Sequence, residues 1–133
     1  MKTGYTVVAG LTISALLACG SDATGPSKTI AGIYTLRTLA GYPLPVNVVD
    51  PSSGNQNQFL VADTLVLRAD GTWSETDIWG PAPDFSDVAV GTYRHSGTAV
   101  LLTETGFGSL TGTVDDSVIT TTAWGWPAIY WKQ

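Results

Sequence analysis

Only one cysteine, Cys19, and one histidine, His95, occur in the 133 residues. A lone cysteine excludes an intrachain disulfide and any cysteine-cluster metal site. A lone histidine excludes an imidazole-rich zinc or copper site within one chain and leaves His95 as the only base for a hydrolytic triad. His95 stands beside the turn pair Ser96-Gly97, where a histidine is a solvated loop residue far more often than a base. Positive charge is scarce too: six Lys+Arg against eleven Asp+Glu give −5. That balance lacks the electrostatic footprint of phosphate-backbone binding, so no nucleic-acid partner is expected. No run of ten or more residues has helical periodicity. Plentiful are Gly (15), Pro (7), Thr and Ser, in a chain 44% hydrophobic and only 13% charged. Such a composition describes one globular domain of short strands and tight turns, and a monomer is expected.

No apolar run is long enough to be a comfortable membrane span. The stretch 5–18, behind Lys2, falls short of the about 20 residues that a spanning helix needs. It ends in Leu16-Leu17-Ala18-Cys19-Gly20. This ending resembles the lipobox at which bacterial lipoprotein precursors are processed before the cysteine. The resemblance implies an export signal over 1–18, lipid on Cys19, and attachment to the membrane through that lipid alone. It places the protein in the cell envelope, and in the outer membrane if the host has one, because Gly20 replaces the Asp that commonly retains lipoproteins at the inner membrane. The alternative is an ordinary signal peptide with an incidental cysteine. Residues 19–27, small and polar after the cysteine, read as a flexible tether, and 28–133 as the exported domain.

Within that domain, runs rich in Val, Ile, Leu, Thr, Tyr and Trp alternate with turn signals at nearly even spacing, the signature of an antiparallel meander. Strands are expected at 30–39, 59–69, 72–79, 88–95, 98–105, 109–114, 117–124 and 128–132. A weaker run at 42–49 contains Pro43 and Pro45, which lack amide donors and suit an edge or a loop. Asp70-Gly71 and Ser96-Gly97 read as two-residue hairpin turns. The segments 50–58 and 80–87 read as loops fringing an opening. Eight short strands escape their exposed edges by closing into a barrel or folding into a sandwich. An eight-stranded barrel either fills with side chains or holds one small ligand.

The segments Ile30-Ala-Gly-Ile-Tyr-Thr-Leu-Arg37, Gly41-Tyr-Pro-Leu-Pro45, Leu65-Val-Leu-Arg-Ala-Asp-Gly-Thr-Trp73, Val90-Gly-Thr-Tyr93 and Thr98-Ala-Val-Leu-Leu102 resemble the lipocalin-like domains of many bacterial lipoproteins. Gly32-Ile-Tyr34 and Tyr130-Trp-Lys132 are similar to the Gly-x-Trp of the lipocalin first strand and to the basic residue that packs over its ring, with Tyr for Trp and Lys for Arg. The resemblance implies an all-β, small antiparallel up-and-down barrel of about eight strands, lipocalin-like.

Candidate chemistry is sparse. Asp84, Asp87 and the pair Asp115-Asp116 read as turn formers, since none has EF-hand spacing. Trp73-Ser-Glu75-Thr-Asp77-Ile-Trp79 places two tryptophans and two carboxylates on one strand face. Burying two unpartnered carboxylates costs several kcal/mol, so an outward face is favoured over an inward one. Two carboxylates on one face also evoke glycoside hydrolysis, without a sugar-binding context to support it. The aromatic run Trp124-Gly-Trp126-Pro-Ala-Ile-Tyr130-Trp131 reads as a plug for one barrel end, or alternatively as an exposed rim. The leading expectation is a lipid-anchored, non-enzymatic barrel without cofactor or metal. It either serves as a structural module or binds a small hydrophobic molecule in a cavity lined by some of Tyr34, Leu36, Trp73, Leu102 and Trp124. The alternative is an envelope protein-interaction module with a solid interior and an exposed Trp126 or Trp131.

Overall fold

Alternating burial drives the architecture. In a computed structural model that describes residues 29–48, 58–80 and 85–133, strand β1 (Gly32–Leu39) buries Tyr34, Leu36 and Leu39. The step from 36 to 39 breaks the period of two, and the register on the last strand shifts between Leu36 and Thr38. An extra residue there twists the strand and keeps Leu39 inside. Two short pieces follow, β2 (Tyr42–Pro43) and β3 (Val46–Asn47). Then come β4 (Phe59–Leu67), β5 (Thr72–Gly80), β6 (Phe85–Ser96), β7 (Ala99–Glu104), β8 (Gly108–Asp115), β9 (Val118–Ala123) and β10 (Trp126–Lys132).

Consecutive strands from β4 to β10 pair antiparallel, and β1 joins β10 to β4. The described residues thus form an all-β, closed, antiparallel eight-stranded barrel with two extra short strands and no helix. The weak run 42–49 supplies those two short strands on the seam. Its Val46 and Val48 are buried, and Val49 lies outside the described residues. Also outside them are Cys19, the segments 1–18 and 19–27, Asp84, and residues 50–57 and 81–84 of the two expected loops.

Several turns differ from expectation. Arg68 N–H donates to the Thr72 carbonyl and Gly71 N–H to that of Arg68, so the hairpin closes on Arg68 and Thr72 with the three residues 69–71 between them, of which only Gly71 has positive φ (84°). Between β6 and β7 the two central residues are Gly97 and Thr98, since Ser96 pairs with Ala99. Trp124, expected in a strand, is instead the first residue of a two-residue turn with Gly125, at φ 49° and 82°. Positive φ at both positions matches the twist of a tight hairpin. Trp126 and Pro127 consequently belong to β10 and not to a turn.

The barrel splits at one end, and the splits position the site. β1 and β4 pair only over Gly32–Thr35 and Thr64–Leu67, and beyond them β4 pairs with β3. On the other side β6 pairs with β7 only from Gly91 to Ser96, with one further link from Thr105 N–H to the Val90 carbonyl. Among the described residues, β6 is held from Phe85 to Ala89 by β5 alone. The first halves of β4 and β6 and the second half of β5 therefore form a three-stranded tongue whose β6 edge is free among the described residues.

Candidate functional site

The inner face of that tongue is acidic. In β4 the run Phe-Leu-Val-Ala-Asp-Thr-Leu-Val-Leu buries Leu65 and Leu67 and, on the same face, Asp63, which is 1% exposed. Register sets Asp63 directly opposite Asp77 of β5, and Asp77 opposite Asp87 of β6. Glu75 lies opposite Leu65 and Ala89. One carboxylate oxygen from each of Asp63, Glu75 and Asp77 can be chosen so that all lie within 4.8 Å of one another. Like charges directly opposed on a sheet are destabilising, so this row costs stability. It stands where a stripe of apolar residues would satisfy the fold.

Tyr130 of β10, itself 2% exposed, reaches across the interior to the row. Its Oη is 2.6 Å from Asp63 Oδ2 and 2.7 Å from Glu75 Oε1, and the hydroxyl donates to these oxygens. A phenol has one proton and serves only one of them at a time. The second short contact requires a proton on a carboxyl. Burial, then the charges of Glu75 and Asp77, push Asp63 up to about 9, with the Tyr130 hydrogen bond acting in the opposite direction. Burial, Glu75 and Asp87 push Asp77 up to about 7. Burial raises Glu75 and raises Tyr130 well above the usual phenol range, the latter further through Glu75 and Asp63. Of the other carboxylate oxygens, Asp63 Oδ1 and Asp77 Oδ1 are buried without any hydrogen-bond partner.

No cation compensates among the described residues. Arg68 donates to Ser74 Oγ at the opposite end of β5, Arg37 lies on the outer surface with Trp131, and Arg94 is exposed. Lys132 Nζ sits 5.7 Å from the centroid of the Tyr34 ring, the cation-over-ring contact expected for this pair.

Beside the acidic row lies a pocket of about 270 Å³, walled by Leu65, Trp73, Leu102, Leu110 and Tyr130, with Glu75 and Glu104 in its lining. Phe107, 86% exposed, stands at its mouth in the turn between β7 and β8. Trp73 is held by its Nε1–H, which donates to the Thr92 carbonyl at 3.0 Å and the Thr103 carbonyl at 3.3 Å. Gly91 makes room for it, because a Cβ there would stand 2.7 Å from that nitrogen.

Of the residues expected to line a cavity, Trp73 and Leu102 do so. Tyr34 and Leu36 are buried in the core away from the pocket. Trp124 is in the turn, 53% exposed, with its ring edge-on to Trp79 at 5.6 Å. Trp79 also stacks on Phe85 at 6.2 Å, so one end carries an aromatic cap drawn from β5, β6 and the turn after β9. Trp126 and Trp131 are exposed and only Tyr130 enters the interior; the C-terminal aromatics are part plug and part rim. The outward orientation favoured for Glu75 and Asp77 is corrected: Trp73 and Trp79 are buried and all four residues face inward. The inward face is possible because Tyr130 and shared protons relieve the charge that simple burial would leave. Asp87 is on a strand, across from Asp77, and not in a turn. Asp116 does form a turn, at φ 48°. His95 lies at the opposite end of the barrel, its Nε2 2.8 Å from the Gly97 carbonyl oxygen.

No family model, curated protein or solved structure matches this chain.

Proposed function

We propose that this chain is a lipid-anchored barrel of the bacterial cell envelope that takes a small amphipathic molecule into its interior, in the manner of a lipocalin. The observation that carries the ligand is the pocket beside the tongue, where Glu75 and Glu104 stand among Leu65, Trp73, Leu102 and Leu110. A purely apolar molecule would leave those carboxylates desolvated and unpaired. An apolar body bearing an amine or another donor-rich group satisfies walls and acids together. The anchor rests on Leu16-Leu17-Ala18-Cys19-Gly20.

Native mass spectrometry of the full chain, purified in mild detergent from a bacterial envelope, tests both parts. The expected spectrum shows a chain that begins at Cys19 with diacylglyceryl mass added, a species lost in Cys19→Ser, and a bound small molecule lost in Leu102→Asp but retained in Trp131→Ala. A bare mass across preparations, with pocket variants indistinguishable from wild type, would overturn the ligand reading. A second reading, an interaction module, draws on the free edge of β6 and its exposed Phe85, Val88 and Val90. An unpaired strand edge accepts an extended segment of a partner. Crosslinking from position 88 to one envelope protein, abolished by proline at Val88, would favour it.

A further inference from the structure

We propose that Asp63, Glu75 and Asp77 form a binding site for one hard divalent cation inside the barrel. Oxygens on opposite sides of such an ion, at about 2.1–2.4 Å each, are separated by about 4.2–4.8 Å, and these three side chains offer oxygens within 4.8 Å of one another. Independently of that clustering, Asp63 is 1% exposed, yet its Oδ1 has no partner, and the Oδ1 of the partly buried Asp77 is also covered and bare. A buried carboxylate oxygen without a donor is among the most costly groups a fold can hold. Nothing on the described chain supplies positive charge here, since Arg37, Arg68, Arg94 and Lys132 are all engaged or exposed elsewhere.

The donor set defines the ion class. Three carboxylates with no nitrogen or sulfur select a hard ion such as calcium, magnesium or manganese over zinc or copper. Three negative charges against two leave one, and the Tyr130 hydroxyl at 2.7 Å from Glu75 Oε1 holds that ligand in place. Such an outer partner orients a ligating carboxylate. Asp87, opposite Asp77, extends the acidic row towards solvent and offers the ion an entry path along the free edge of β6. The site does not rest on the amphipathic-ligand reading: Glu75 is common to both, but Asp63 and Asp77 line no part of that pocket.

The test uses the purified full chain stripped with chelator, titrated with Mn²⁺ followed by electron paramagnetic resonance, and with Ca²⁺ by calorimetry. Saturable uptake of one ion per chain is expected at or below about millimolar concentration, with proton release on binding. Asp63→Asn and Asp77→Asn should each abolish it, while Asp115→Asn, exposed at the end of β8, keeps the one-ion stoichiometry. Circular dichroism establishes that each variant retains its β-sheet. Should one aspartate variant misfold, the other variant and Tb³⁺ luminescence excited through Trp79 decide the same question. No saturable uptake of either ion by the native chain, or uptake that survives both substitutions, overturns the proposal. An ion bound without any small molecule would leave the pocket reading to fail separately.

Discussion

Tyr130 joins what the fold would otherwise drive apart. Its hydroxyl lies between Asp63 and Glu75, carboxyls on neighbouring strands that repel whenever both are ionised. Removing it leaves two buried oxygens without a donor, and hydrogen bonds to charged groups contribute about 1.5–3 kcal/mol. Tyr130→Phe, which keeps the ring and its packing, should therefore lower the urea-unfolding free energy by about 2 kcal/mol at neutral pH. Asp63→Asn should do the opposite in metal-free protein at pH 8. It keeps an acceptor for Tyr130 and removes a carboxyl that must hold its proton, so its melting temperature is expected above that of wild type. A wild-type melt matching Tyr130→Phe would show that the hydroxyl contributes nothing to holding the row.

At the scale of elements, β6 is the strand on which the site depends. Gly91 lies at the last ladder pair with β7, opposite Glu104, and a Cβ there would meet both the Thr103 carbonyl and the Trp73 indole. Gly91→Ala forces that indole off the Thr92 and Thr103 carbonyls and widens the split. Overpacking of this kind costs about 1–3 kcal/mol. The expected signs are lowered stability and a red-shifted tryptophan emission, whereas Gly106→Ala, where a Cβ meets nothing, acts only through the positive φ of its turn. These elements also mark how far the fold is legible in the sequence. Alternation locates the eight main strands, and glycines locate most turns, because both are local signals. The start of β6 at Phe85 escapes such a reading, since it lies beside a Pro-containing stretch and its first residues pair with β5 alone. Trp124 is misplaced by it because β propensity argues for a strand, while the hairpin twist requires positive φ at that position. The inward turn of Glu75 and Asp77 depends on Asp63 and Tyr130, distant in sequence. Asp63 does carry a local signal: it sits two and four residues before the core positions Leu65 and Leu67, a polar residue in an apolar stripe.

For the molecule as a whole, the acidic interior sets the dependence of stability on pH. The groups facing one another there are Asp63 from β4, Glu75 and Asp77 from β5, Asp87 from β6, Glu104 from β7 and Tyr130 from β10. Burial, then Glu75 and Asp77, hold the folded Asp63 up to about 9, while in the unfolded chain an aspartate ionises near about 4. Between those values the folded state binds more protons than the unfolded one, so stability falls as pH rises. Asp77, pushed up to about 7 by burial, Glu75 and Asp87, adds to the fall in the lower part of that window. On the acid side Asp70 acts oppositely: hydrogen bonds from the Thr72 hydroxyl and N–H hold its carboxyl low, and that contribution is lost as pH drops through its folded value. Metal-free protein should therefore be most stable in mild acid and lose melting temperature steadily from about pH 5 to 9. The double variant Asp63→Asn/Asp77→Asn should flatten that slope. An ion held by the three carboxylates replaces the protons as the compensating charge, so saturating Ca²⁺ should raise the alkaline limb of the wild-type curve and leave the double variant's curve unmoved. Thermal melts from pH 4 to 9.5, with and without the ion, measure both effects. A wild-type curve that is flat without ion would mean that the row is already ionised and solvated, and that the barrel is more open around Asp63 than its burial implies.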